Sequence, residues 1–511
     1  MEYAIAVIDI GMTNKKVAFY DDRLRQLEAR YKTFEPLPIQ DCMTHNLEAM
    51  ESWFIEELRR GASLYPIRAI AVSTHGATFV CVGPDGKPSV PCVYYTHEPG
   101  DAFHRRFYER FGSPEKLQAE TGTPYFKALI NPAKGILFAQ EQFPEGFKNT
   151  RYILNYPQYW GYRFTGRVGA ENTYVGCHSY LWDWEQKTWS SVARNLNITT
   201  LLPQELKHSW DILGPISAEL SHATGLKPDT IVTMGIHDSN ASLLPHFAKK
   251  GREGFVLNST GTWCVIMNPV KQYGFKKDEL GKVVFFNQSA FGSPVKTAIF
   301  LGGYEFETWS KLLQELHHRN DLPPYRRELY QEILASKEAF LLPELTAGSG
   351  QFPDSKPRVI ENEMEYPYQD ILTKKAIPPC FTDFERGIAV LRISLVMQTL
   401  TALERAGLQR GQDIYTEGGF RKNEAYNVLL SAALQENKLA LTDIAEASAF
   451  GAAMTAKMAL TGKGLSDLAA DFTVEYLEIP KDQFDELAAY RSAWLSHVGT
   501  TTDPGTLQSS I

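Results

Sequence analysis

Four short stretches carry residue types and spacings that could do chemistry. The first, "DIGMTNKK" at 9–16, sets Asp9 at the end of an apolar run and follows it with Gly11, Thr13, Asn14 and the lysine pair Lys15 and Lys16. The second, "GIHDSNAS" at 235–242, again ends an apolar run in a carboxylate, Asp238. The third, "NSTGTW" at 258–263, and the fourth, "EGGFRKN" at 417–423, are glycine turns among small polar residues. A tight glycine turn exposes backbone N–H groups with no Cβ in front of them, and such donors suit the oxygens of an anion. Taken singly, each stretch also fits an ordinary hairpin with a solvated turn, because short glycine motifs recur by chance.

The elements that must position these residues alternate between strand and helix. Ala4–Ile8 and Val17–Tyr20 are apolar runs on either side of the first turn, so a β-hairpin is expected. Residues 45–60 have helical apolar spacing up to Gly61, and a buried-type strand from Ile67 stops at His75 and Gly76. A strand–turn–strand unit is expected over 78–93 around "GPDGKP", with helices over 101–111 and 133–143. The aromatic-dense "NYPQYWGYRFTG" reads as core packing. A strand over 229–243 closes the first half, and after "AKKGREG" the pattern restarts at 255 with "FVLNSTGTWCVIM". A long helix over 383–406, a strand–glycine turn–helix unit around 417–423 and a helix of small residues over 443–460 complete the second half. Residues 343–380 read as an irregular insertion. Two similar units in two halves predict a duplicated α/β architecture with a cleft between the lobes.

A chain of 511 residues exceeds one core, so two domains of about 200 to 250 residues are expected. We place them at 1–245 and 246–470, with 471–511 as a C-terminal extension. Hydrophobic content of 43% and charged content of 22% are ordinary for a globular enzyme. Fifty-two basic against 60 acidic residues give a net charge of −8, which argues against a broad nucleic-acid surface. The six cysteines form no CxxC pair and no metal-ligand spacing with histidine, so they read as reduced thiols in a cytoplasmic protein. The N-terminal apolar run ends at Asp9, too early for a signal peptide, and no uninterrupted apolar segment reaches the roughly 18 residues of a bilayer span.

In this order, the four stretches resemble the FGGY family of carbohydrate kinases, within the wider actin, hexokinase and chaperone-ATPase superfamily. The likeness covers about the first 460 residues. It implies an α/β, two-lobed actin-like (ribonuclease H-like) ATPase architecture with a cleft between duplicated domains. The family's first phosphate motif is matched by Asp9, Gly11, Thr13, Asn14 and Lys16, with Met12 where a small residue is usual. Its second is matched by Ser259, Thr260, Gly261 and Thr262. The adenosine motif is matched by Gly418, Gly419 and Asn423, with Glu417 in place of the first glycine, and a downstream helix pattern by Glu446, Ala447, Gly451, Ala452 and Ala453.

The resemblance implies ATP and Mg²⁺ as cofactors. Asp9 would hold the metal and Asp238 would take the proton of a sugar hydroxyl. His237 is expected to be structural, since successive strand side chains point to opposite faces. The sugar site is expected at His75 and Gly76, with Asp238, Tyr95 and His97 contributing. The segment "YYTHEPGD" lacks the family's aspartate and arginine at their usual spacing, and Glu98 there is either a hydroxyl ligand or a solvated loop charge.

Local features around the phosphates (His237, Asp238, Ser239 and Ala241; Ser259 to Trp263; Gly11, Thr13 and Asn14) resemble kinases of deoxyketoses. The expected reaction is transfer to O1 of L-fuculose or L-rhamnulose, with Phe79 or Tyr159 as the wall for the methyl group. A kinase of xylulose, ribulose or gluconate and a non-catalytic nucleotide-binding relative are the alternatives. The expected partners are a sugar and ATP, with no nucleic acid and no membrane, and a homodimer is compatible with the resemblance.

Overall fold

Ala4–Ile10 is apolar at nearly every position, the pattern of a strand covered on both faces. In the computed structural model, which describes residues 1–444 and 446–499, this strand (β1) lies inside a sheet. It pairs antiparallel with β2 (Asn14–Asp21), and β2 pairs with β3 (Gln26–Thr33), as the hairpin reading expects. On its other side β1 runs parallel to β4 (Ile67–Thr74). The crossover helix α1 (Leu47–Leu64) is capped by Asn46 Oδ1, which accepts from Ala49 N at 3.1 Å. It passes through Gly61 without stopping. A Cβ there would lie 2.3 Å from the Phe19 ring, so this glycine serves packing and does not end the helix.

The N-terminal sheet is completed by β5 (Ile212–Pro215), β6 (Ile231–Thr233) and β7 (Ile236–His237), with β6 and β7 parallel to β4. Helix α2 (Asp238–Lys250) follows at once. The strand expected over 229–243 therefore becomes helix at Asp238.

The second lobe repeats the plan. Strands β8 (Phe255–Thr260), β9 (Cys264–Pro269), β10 (Val284–Gln288) and β11 (Pro294–Phe300) form an antiparallel set. Helices α3 (Gly302–His317) and α4 (Phe384–Arg405) lead to β12 (Asp413–Gly418), which is parallel to β8. Then follow α5 (Glu424–Ala433), β13 (Lys438–Thr442) parallel to β12, and α6 (Ala447–Thr461). An antiparallel set, three strands in the first lobe and four in the second, continued by parallel strands is the duplicated actin-like ATPase architecture. Among the described residues α4 alone is long and apolar enough to cross a membrane, and 94% of its apolar window is buried inside the protein.

Two further expectations are corrected. Phe79–Val82 pairs with Tyr152–Asn155, and the expected return strand is reduced to one bridge between Val82 and Pro88, because Pro88 and Pro91 remove ladder donors there. Within 343–380, the strands Arg358–Glu361 and Met364–Pro367 join Ala339–Leu342 in a three-stranded sheet. Helix α2 runs across residue 245, and beyond residue 470 β14 (Tyr476–Glu478) is an edge strand of the second sheet. The helix Leu487–Gly499 is fastened to that lobe by Trp494 Nε1 donating to Leu341 O (2.8 Å) and Tyr490 OH donating to Ala339 O (2.6 Å). The rest of the expected extension, 500–511, lies outside the described residues.

Candidate active site

Gly235, at φ +83°, turns the chain between β6 and β7. The next turn is fixed by Thr173 Oγ1, which accepts from His237 N at 3.0 Å. Asp238 thereby becomes the first residue of α2, with one carboxylate oxygen accepting from Ser239 N at 2.6 Å. Burial, reinforced by the charge of Asp9, pushes its carboxyl up to about 7.

Asp238 lies on the floor of a cavity of about 180 Å³ between the lobes. The floor is polar: Gly76, Tyr95, His178, His237 and Ser239 accompany Asp238. The walls and roof are mostly carbon: Phe126 and Ile130 from the first lobe, and Trp263, Val265, Phe285 and Ile299 from the second, with the amide of Asn287 among them. No lysine or arginine lines the cavity among the described residues. His237 Nε2 sits 3.2 Å from Asp238 Oδ1. Burial and the neighbouring His178 and His75 push His237 down to about 3, so it stands beside the carboxylate as a neutral imidazole.

Other expected sugar contacts are redistributed. His75 is buried behind the floor, donating from Nδ1 to Gly76 O at 2.8 Å, and only Gly76 of that pair reaches the cavity. His97 follows a turn closed by its own N–H on Tyr94 O, and its ring packs on Phe138 and Cys42, away from the cavity. Glu98 accepts from Gly100 N and Ala128 N and contacts His104, so it ties a loop together. Tyr159 is core, 5.1 Å from the Trp160 ring, and Phe79 lines a separate small void, so neither forms the apolar wall.

Asp9 ends β1. Its Oδ2 accepts from Ser448 Oγ at 2.8 Å and lies 3.1 Å from Lys16 Nζ, the residue opposite it in the β1–β2 register. The same ammonium is 3.1 Å from Glu446 Oε2. Lys16, expected on phosphate, is thus held between two carboxylates. Lys15 staples the turn, donating to Met12 O at 2.7 Å, and burial lowers it to about 8. Gly11 and Met12 are half-buried and Thr13 and Asn14 exposed, so the turn faces outward.

The second hairpin and the adenosine motif do converge. Gly261, Thr262, Gly419 and Asn423 line one cavity of about 400 Å³, walled by Phe306 and Leu322. Thr260 points inward instead: it accepts from Phe420 N at 2.9 Å and bonds the Glu417 carbonyl, tying one turn to the other. Gly418 can only be glycine, since its φ is +80° and a Cβ would lie 1.9 Å from Thr260 O. Ser259 lines neither cavity. Asn423 caps α5 through Oδ1, and its buried Nδ2 has no partner, an amide donor left for a ligand. Glu417 faces away, 3.1 Å from His246 Nε2.

Phe126, Ile130, Cys177, His178, Asn287 and Ser448 belong to the site without any motif having announced them. Only His178 carries a local mark, a positive φ of +36°.

Two sheets of one topology, meeting at a carboxylate and two glycine turns, define an actin-like ATPase cleft. The chain belongs to the FGGY family of carbohydrate kinases: residues 4–245 match its N-terminal domain and 252–463 match the carbohydrate kinase FGGY C-terminal domain. It is similar to a rhamnulokinase of Halalkalibacterium halodurans, 24% identical over 207 residues, which is 40% of this chain and 43% of that protein. A ribulokinase 2 of Staphylococcus saprophyticus is 28% identical over 141 residues, 26% of each chain. The aligned stretches thus span less than half of these relatives. Solved structures similar over nearly the whole chain include a carbohydrate kinase from Novosphingobium aromaticivorans (TM-score 0.79, 23% identity, 97% of this chain and 98% of that one). A ligand-bound xylulose kinase from Lactobacillus acidophilus (TM-score 0.77, 15% identity, 97% and 96%) is another. These structures share the fold.

Proposed function

We propose that the protein is an ATP-dependent kinase of a neutral deoxyketose such as L-fuculose or L-rhamnulose, with O1 as the acceptor. The observation that carries this reading is the cavity with Asp238 in its floor, a mostly carbon roof and, among the described residues, no lysine or arginine. A carboxyl raised to about 7 is poised to take a hydroxyl proton near neutral pH. Gly76, Ser239 and Tyr95 offer polar groups to sugar hydroxyls, and the apolar roof suits a methyl group and keeps water from the transfer.

The nucleotide fits the second cavity. Phe306 and Leu322 would flank the adenosine, Asn423 Nδ2 would find the acceptor it lacks, and the turns at Gly261–Thr262 and Gly11–Thr13 would present donors to phosphate from the two lobes. Asp9 and Asp238 are near enough to repel one another, and an all-oxygen donor set of this kind suits Mg²⁺. Bound with ATP, the ion would neutralise charge on the transferring phosphoryl group. Asp9 is held in place by Lys16 and Ser448.

A gluconate kinase is disfavoured because a substrate carboxylate would meet no cation in the cavity. A non-catalytic relative would have no use for the raised carboxyl of Asp238. Release of ADP, measured as kcat/KM across L-fuculose, L-rhamnulose, D-xylulose and L-ribulose, tests the proposal. A ketose without the 6-methyl group ahead by more than about tenfold would remove the deoxyketose assignment. No turnover of any neutral ketose would remove the kinase reading.

A further inference from the structure

Cys177, His178 and His237 meet at one side of the cavity floor, and phosphoryl transfer as described uses none of their lone pairs. Cys177 Sγ lies 3.7 Å from His237 Nε2, and with the His178 ring nitrogen the three ligand atoms fall within 4.8 Å of one another. They converge beside a residue with no side chain: a Cβ on Gly76 would stand 2.9 Å from His178 Nε2 and 3.0 Å from His237 Nε2. His178 Nδ1 donates to Ile130 O at 3.2 Å, which puts the proton on Nδ1 and leaves Nε2 a lone pair. Burial holds both imidazoles neutral, the form that binds metal.

A separate observation concerns Asn240. It is 1% exposed, its amide nitrogen lies 3.2 Å from His237 Nδ1, and its Oδ1 has no partner. Turning that amide over would let Oδ1 accept from Nδ1–H, satisfy the orphaned oxygen and free His237 Nε2 as a ligand.

We propose that Cys177, His178 and His237 form a binding site for a borderline-soft divalent cation, zinc by its ligand set, and that the bound ion closes the sugar cavity. Thiolate and imidazole select zinc over magnesium, so this site and the oxygen site at Asp9 do not compete for one metal. Small side-chain rotations bring the three atoms to the bond lengths of about 2.0 to 2.3 Å that zinc takes. On binding, the Cys177 S–H bond breaks, an S–Zn bond forms and the proton leaves to solvent. The thiolate together with the Asp238 carboxylate then balances the two positive charges of the ion. The fourth position opens to the cavity, where a sugar hydroxyl must pass to reach Asp238. Zinc therefore competes with the sugar and not with ATP. This inhibition rests on the kinase reading; the metal binding does not.

Titration of the full chain with Co²⁺ as probe tests the site. One equivalent is expected to give a thiolate-to-cobalt charge-transfer band and intense tetrahedral visible bands, both removed by Zn²⁺. Cys177→Ser loses the charge-transfer band, and Asn240→Ala weakens Co²⁺ binding about 10- to 100-fold. If Cys177→Ser fails to fold, as thermal unfolding would reveal, His178→Gln carries the test through loss of the tetrahedral bands. A weak octahedral spectrum without the thiolate band in the wild-type chain overturns the site, as does an unchanged spectrum in both variants. With a ketose substrate, Zn²⁺ should raise KM for the sugar and leave KM for ATP alone; competition with ATP would overturn the blocking role. If no ketose is turned over, the kinase reading fails while the cobalt spectrum still decides the site.

Discussion

A Cβ on Gly451 would stand 2.0 Å from the backbone oxygen of Ala241, so α6 of the second lobe and α2 of the first cross with their backbones in contact. Each helix carries a piece of the site at its N-terminus. Asp238 opens α2, and Ser448, one turn before Gly451 in α6, holds Asp9. The crossing therefore sets the spacing of the two carboxylates. Gly451→Ala should lower stability by about 1 to 3 kcal/mol through overpacking and reduce kcat as the lobes are pushed apart. Gly274→Ala, at a glycine with open space around it, is the control for thermal midpoint and turnover. Equal behaviour of the two variants would mean that the contact is not rigid.

Asp238→Asn should lower kcat about 10²- to 10⁴-fold with ATP binding retained, since only the positioned base is lost. The sign of the pH dependence follows from the raised carboxyl. The base works deprotonated, so kcat/KM for the sugar should rise as pH increases through about 7 and fall below it. Bound magnesium would move that limb to lower pH. A limb that persisted in the asparagine variant would belong to another group.

Asp9→Ala should raise the Mg²⁺ concentration needed for half-maximal turnover. It also leaves Lys16 paired with Glu446 alone. Magnesium titration of the initial rate checks this, and an unchanged curve would make Asp9 a structural partner of Lys16.

Gly418→Ala should raise KM for ATP more than KM for the sugar. Its Cβ would strike Thr260 O and open the junction between the second hairpin and the adenosine turn, leaving the Asp238 floor untouched. Steady-state kinetics with each substrate varied in turn separates the two effects, and equal rises would place the disturbance elsewhere.

The motifs were legible because they depend on local backbone needs. Gly418 must be glycine for its own φ, and Asp9 and Asp238 stand out as carboxylates at the ends of apolar runs. The alternation rule failed at His237, where strand gives way to helix and the ring turns toward Asp238. The cavity roof left no trace in the sequence. Val265, Phe285 and Ile299 are ordinary strand residues of the second lobe, and only the meeting of the lobes turns them toward Asp238. The strand Tyr476–Glu478 was hidden for the same reason: three residues carry no periodicity, and their pairing with β13 is a tertiary fact.

The lobes should close when sugar and nucleotide are both bound, and small-angle scattering should register a smaller radius of gyration; equal radii in the free and doubly liganded states would count against it.

A roof of Val265, Phe285 and Ile299 over a floor of Asp238 and Ser239 has a consequence for how the proposed kinase would choose its sugar. Floor and roof belong to different lobes, so a sugar can settle on the floor while its upper face is still wet. In the closing motion expected above, that face would be stripped of water, and an upward hydroxyl out of reach of the Asn287 amide would lose its hydrogen bonds and find none in return. The penalty would fall on the closing motion and not on the first encounter. Wrong sugars would dock and leave through an open door, and discrimination would show in turnover more than in initial binding.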